Sequence, residues 1–233
     1  IPGSMLGAID PADDIDIFTV PLAAGELWSW QIVSDGSTFV PHLTIFDTAP
    51  SNLNPTVLVV GANASEMAHL DHFVLGAGSF VAAVRDGRNV PAGTSQHAGG
   101  PTVTYRLAGT KVAPAPAPVT FPSTVPGSLK YVSNIALYSF AGTAGMKVKI
   151  VVNAQRKMPA SALDSRLSLF NDTSKTNVLT NADASGSTTD SEIMGPLPAS
   201  GTYFVILENE AAMTYAAGSI PDLSYTIDFS IIP

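Results

Sequence analysis

The chain repeats itself once. Gly201-Thr202-Tyr203-Phe204-Val205-Ile206-Leu207 has an earlier counterpart in Gly78-Ser79-Phe80-Val81-Ala82-Ala83-Val84. Each is a small-residue turn followed by a run of aromatic, small and β-branched residues. Other anchors keep the same order. Ile135 to Phe140 answers Ile15 to Val20, and Ala144-Gly145-Met146 answers Ala24-Gly25-Glu26. Leu167-Ser168-Leu169-Phe170-Asn171 answers Leu43-Thr44-Ile45-Phe46-Asp47. Val178-Leu179 answers Val57-Leu58, and Tyr225-Thr226-Ile227 answers Tyr105-Arg106-Leu107. The offset runs only from 120 (Ile15 to Ile135) to 124 (Leu43 to Leu167). Whatever the first half folds into, the second half is expected to fold into as well. Two copies are too few for a solenoid.

The repeated runs are short, alternate with period two, and are closed by turn residues about every ten positions. That pattern predicts antiparallel β-sandwiches, and no stretch sustains a 3.6-residue period. The abundance of Gly (19) and Pro (18) agrees with a loop-rich β protein. Between the halves lies Lys111 to Pro118, with Ala-Pro-Ala-Pro-Ala-Pro at its end. Alternating prolines favour an extended, semi-rigid spacer. The expected organisation is therefore all-β: a sandwich domain over 6–110, a linker over 111–118 and a second sandwich over 119–233. Met5 to Asp16 reads as a loop, and Ile1-Pro2-Gly3-Ser4 reads as a vector-derived leader.

Charge and composition exclude several classes. The net charge is −8, and it is uneven. Residues 1–110 carry 3 Arg against 10 Asp and Glu, hence −7; residues 111–233 carry 8 Lys and Arg against 9 acids, hence −1. Such a surface repels phosphate backbones and anionic membranes, so neither nucleic acid nor membrane insertion is expected. No apolar run is long enough to span a bilayer as a helix. Cysteine is absent, which removes disulfides, thiolate nucleophiles and Cys-ligated metals.

The ordered anchors resemble the bacterial pre-peptidase C-terminal domain family. The residues that carry the likeness are Asp14-Ile15-Asp16-Ile17-Phe18 for a D-x-D-x-F opening and Ala24-Gly25-Glu26-Leu27 for the following turn. They continue with Pro41 to Asp47, Gly78 to Val84 with Gly201 to Leu207, and Tyr105-Arg106-Leu107. The resemblance implies two tandem jelly-roll-like sandwiches in a secreted or cell-surface bacterial protein, non-catalytic and commonly appended to extracellular proteases. It also implies possible partners, since relatives in clostridial collagenases bind collagen and calcium. The second half departs at its opening, where Asn134-Ile135-Ala136-Leu137-Tyr138 lacks both acids.

Four groups of residues invite chemistry. Asp10, Asp13, Asp14 and Asp16 crowd one loop, and hard cations such as calcium take several carboxylate oxygens from such loops. Asp47, Asp86 and Asn89 could join them. The alternative is a solvated loop whose aspartates start a turn. His42, His69, His72 and His97 all fall in the first half, but residues three apart on a strand, such as His69 and His72, face opposite ways. Trp28 and Trp30 share one face of a strand. Outward, they would stack on a sugar ring or an apolar side chain; inward, with Ile32, they would be core. They stand as candidate ligand-binding residues. Lys147, Lys149, Arg156 and Lys157 form the basic patch of the second half. No G-x-S-x-G elbow or H-E-x-x-H is present.

The leading expectation is a non-catalytic extracellular module that recognises a polymer or a protein surface, or positions an attached enzyme domain. A structural or adhesive spacer is the alternative. A hydrolase using acids of the first half comes third.

Overall fold

A computed structural model describes residues 3–47, 57–60, 67–74, 76–89, 96–130, 134–171, 177–181, 189–209 and 221–233. The chain divides into two units, the first reaching Ala113 and the second starting at Pro114.

The described residues of the first unit form eight strands: β1 (Gly3–Ala8), β2 (Asp16–Leu22), β3 (Leu27–Ser34), β4 (Pro41–Asp47), β5 (Val57–Val60), β6 (Met67–Phe73), β7 (Gly78–Asp86) and β8 (Thr104–Val112). One sheet has the order β1-β8-β3-β6 and the other β2-β7-β4-β5. All pairs are antiparallel. The second unit runs β9 (Ala117–Pro118), β10 (Ser123–Ser128), β11 (Ile135–Gly142), β12 (Lys147–Asn153), β13 (Ser165–Asn171), β14 (Asn177–Asn181), β15 (Glu192–Pro196), β16 (Gly201–Asn209) and β17 (Ser224–Ile231). Its sheets are β10-β17-β12-β15 and β14-β13-β16-β11-β9. Leaving out β9, both units have one strand order, that of an eight-stranded jelly roll. The protein is all-β, with two sheets face to face in each unit.

Alternation along the strands builds each core. In the first, Trp28, Trp30, Ile32, Leu43, Ile45, Val84 and Tyr105 point inward from both sheets. In the second, Val148, Ile150, Val152, Leu167, Leu169, Tyr203 and Phe229 do the same. Burying one such side chain contributes about 1.5–3 kcal/mol. The turn before the third strand of each jelly roll has one geometry. Gly25 and Gly145 both sit at φ 80°, where a side chain would be strained. Gly25 N donates to Val74 O (2.7 Å) and Val74 N to Glu26 O (2.8 Å). Gly145 N donates to Leu197 O (2.8 Å) and Leu197 N to Met146 O (2.9 Å).

Two features differ from expectation, and a third decides between readings left open. Met5 to Ala8 is not loop but part of β1, and Gly3 and Ser4 pair with Gly109 and Ala108 within it. Glycine hides this strand in the sequence because a tyrosine ring fills the side-chain space. A Cβ on Gly7 would lie 2.3 Å from Cζ of Tyr105, and one on Gly127 of β10 would lie 2.5 Å from Cζ of Tyr225. The Lys111–Pro118 stretch begins inside β8, and its last two residues are β9, paired in parallel with Tyr138 and Ser139 of β11. Finally, Trp28 and Trp30 are 6% and 1% exposed and stack on each other at 5.6 Å within the core. A surface stacking platform is not available there, because their face, shared with Ile32, points into the sandwich.

Candidate functional site

One end of the first unit gathers the connection between β1 and β2 and the segment between β7 and β8. Ile9 anchors the first of these. It is fully buried, its N–H donates to Val103 O (3.0 Å), and its carbonyl accepts from Gly100 N (2.6 Å). Gly99 lets the segments touch, since a Cβ there would sit 2.4 Å from Cα of Ala12. Asp13 N donates to Ala98 O (3.2 Å). The Asn89 side chain splices the other side, donating to Ala98 O (2.7 Å) and accepting from Ala98 N (2.8 Å). Asp86 is wholly buried and accepts from Val40 N, Arg88 N and two guanidinium nitrogens of Arg88, the last two at 2.8 Å each.

On this frame Asp13 (φ 66°) and His97 (φ 50°) both hold left-handed backbone conformations, and Asp13 Oδ2 pairs with His97 Nδ1. Non-glycine residues in that region carry strain, which concentrates at functional sites. Beside the pair opens a cleft of about 250 Å³ lined by Asp13, Ile15, Arg85 and Asn89. Ile15 is 39% exposed and supplies an apolar wall.

Arg85 is the residue that the sequence reading missed. It lies on β7, in register with His42 on β4. His42 is 2% exposed, and neither ring nitrogen has a hydrogen-bond partner among the described residues. Burial, followed by the Arg85 charge, pulls the His42 pKa down to about 4. The offsets align His42 with Arg166 and Arg85 with Glu208, and that pair is in register on β13 and β16. There the side chains form an ion pair, Nε to Oε1 3.6 Å. The second unit thus neutralises its charge internally. The first sets two bases side by side, keeps the histidine neutral, and lines its cleft with the arginine. Only strand register reveals this.

The four aspartates do not converge. Asp10 is exposed. Asp14 Oδ1 accepts from Ile15 N (2.8 Å), and Asp16 Oδ2 accepts the Tyr105 hydroxyl (2.6 Å). Asp13 is on His97, and Asp86 is committed to Arg88. The Asp47 side chain lies outside the described residues. Among those described, no three His, Asp or Glu side chains surround a common point where a metal could bind. Carboxylates so distributed, two of them held by a tyrosine and a histidine, do not fit a shared calcium ion.

The remaining expectations resolve locally. His69 bonds Asp71 (3.0 Å), while His72, on the other face of β6, is buried edge-on against Phe80. The basic patch is largely paired. Lys149 lies 3.2 Å from Glu192, Lys157 3.4 Å from Asp222 and Arg156 3.5 Å from Asp190. Lys147 Nζ donates to Pro233 O (2.8 Å).

No protein-family profile matches the chain, and no curated protein does. Among solved structures, the pre-peptidase C-terminal domain of a Bacillus anthracis collagenase is similar at 14% identity. It covers 50% of this chain and 95% of that one, with a TM-score of 0.37. The CUB1-EGF-CUB2 region of human MASP-1/3 aligns at 6% identity over 99% of each chain, with a TM-score of 0.27. A Clostridium perfringens ZmpB structure, its M60 catalytic domain with CBM51-1 and CBM51-2, aligns at 4% identity over 94% of this chain and 34% of that one, with a TM-score of 0.29.

Proposed function

We propose that the chain is a non-catalytic extracellular module of a secreted or cell-surface bacterial protein. It is built from two copies of one jelly-roll domain of the pre-peptidase C-terminal type, and the first copy does the binding. The ordered motifs of both halves and their common strand order support the duplication. The observation that carries the binding role is Arg85. Among the described residues it has no acid partner where the second unit has the Arg166–Glu208 ion pair, and it lines a cleft flanked by the strained Asp13–His97 pair. A shallow site with one cation, one amide, one apolar wall and a carboxylate already held by His97 can grip a polymer strand carrying carboxylate or carbonyl groups beside apolar ones.

The test is retention of the protein on collagen, chitin, cellulose and peptidoglycan, each with calcium or a chelator. Saturable retention on one polymer is expected, falling at least roughly tenfold in Arg85→Ala, the loss of one charge-assisted bond. Loss of retention in chelator would bring calcium back to the Asp10–Asp16 loop. Retention on none would favour a spacer, in which the sandwiches only hold distance.

A further inference from the structure

β2 ends its sheet, and no strand pairs with its outer edge among the described residues. In the second unit the counterpart strand β11 is covered. Ala117 and Pro118 lie alongside Tyr138 and Ser139 in parallel, and Val119 N donates to Ser139 O (2.8 Å). The two edges match residue for residue. Thr19 opposes Val81 as Ser139 opposes Phe204, and Val20 opposes Phe80 as Phe140 opposes Tyr203. Thr19 therefore presents its N–H and C=O outward, as Ser139 does towards β9. Exposed Ile17, at 64%, flanks it.

The covering segment has a chemistry that explains its fit. In an extended strand, alternate residues offer their backbone groups to one side. In 114–119, Ala115, Ala117 and Val119 fall on the side facing β11, and Pro114, Pro116 and Pro118 on the other. The side that bonds keeps its N–H groups. The side facing solvent has none, so it cannot recruit a further strand. The Ala-Pro repeat is a strand with one sticky edge.

We propose that the free edge of β2, centred on Thr19, is a docking site for an extended peptide in which small residues alternate with proline, bound as a parallel strand by β-augmentation. It is independent of the Arg85 cleft. Pro21, two residues on and oriented as Thr19 is, lacks a donor and limits the ladder to a short one, like β9.

The experiment titrates the full chain with acetylated Val-Ala-Pro-Ala-Pro-Ala-Pro-Val-Thr, the sequence of 112–120, and follows backbone amide shifts by NMR. Of the two homologous edges, that of β11 is already filled and that of β2 is open among the described residues. Saturable shifts confined to Ile17, Phe18 and Thr19 and their neighbours are expected. The same peptide with N-methylvaline at the penultimate position loses the donor that corresponds to Val119, and should bind roughly tenfold more weakly. Thr19→Pro should remove the response while keeping its melting temperature, since proline is accepted at a free strand edge. If that variant unfolds, the N-methyl comparison on the unaltered chain still decides. No shifts at Ile17–Thr19 at saturating peptide, shifts centred on Asp13 and His97 instead, or equal binding of the methylated peptide would each overturn the proposal.

Discussion

His42 makes the first unit labile to mild acid. The ring is 2% exposed, and its nitrogens have no hydrogen-bond partner among the described residues. Its pKa falls from the usual 6.5 to about 4 because burial, and then Arg85, penalise the imidazolium. Between those values the unfolded chain takes up a proton that the native state refuses, so stability rises with pH across this window. The full contribution is present above about pH 6.5 and is lost as pH falls towards 4. A shift of this size corresponds to about 3 kcal/mol, of which about 2 kcal/mol is gone by about pH 5. For a unit of this size that lowers the melting temperature by roughly 8 °C. Carboxylates confuse the test little. Glu26, held down to about 2 by Lys111, Trp28 and the Ala23 amide, costs stability only as pH falls from about 4.5. The assay is thermal unfolding from about pH 7.5 to 4.5 of the wild type and of His42→Leu. The variant should lose the slope above pH 4.5 and be no less stable at pH 7.5, since it buries no unpaired polar group. A His42→Leu protein that keeps more than half of the wild-type slope would refute the reasoning.

Two further predictions concern packing and the buried acid of the second unit. Asp190, wholly buried, accepts the amides of Ala154 (2.9 Å), Gln155 (2.8 Å) and Arg156 (3.1 Å), so Asp190→Ala should cost about 3–5 kcal/mol. Urea unfolding and faster amide exchange at 154–156 would show it, and a loss below about 1 kcal/mol would contradict it. Gly127→Ala puts a Cβ 2.5 Å from Oη of Tyr225, whose hydroxyl bonds that of Tyr138 at 2.8 Å. The overpacking should destabilise the second unit by about 2–3 kcal/mol in denaturant titration, and an unchanged midpoint would show that the ring swings freely.

The strands were legible where a side chain fills each inward position. Trp28, Trp30 and Ile32, or Leu167 and Leu169, announce a period of two and a buried face. β1 and β10 were illegible for the opposite reason. Gly7 and Gly127 leave the inward place to a tyrosine from β8 or β17, so the pattern is completed by another strand, and Pro126 sits where only an edge strand tolerates it. The aspartate loop was legible as a cluster but not as a set of separate tasks. Arg85 was legible only by position, because a cross-strand partner is a property of register and not of spacing.

The differences between the units bear on the proposed site. Tyr105 and Tyr225 bring the same problem, a buried hydroxyl packed on a glycine. The first unit meets it with the Asp16 carboxylate and the second with the Tyr138 hydroxyl. In both, burial first and then the acceptor hold the phenol proton on well above its usual range. Of the two acids missing from the second opening, the loss of the Asp16 counterpart is thus compensated and says nothing about binding: Asp16 satisfies a tyrosine. The exchange of Arg166 and Glu208 for His42 and Arg85 has no such compensation. It leaves in the interior an imidazole with no hydrogen-bond partner among the described residues and an arginine on the cleft, at a cost in acid stability. A cost without a structural return is what a position held for a ligand would carry, and it is the reason the proposed binding role is assigned to Arg85 rather than to the aspartates.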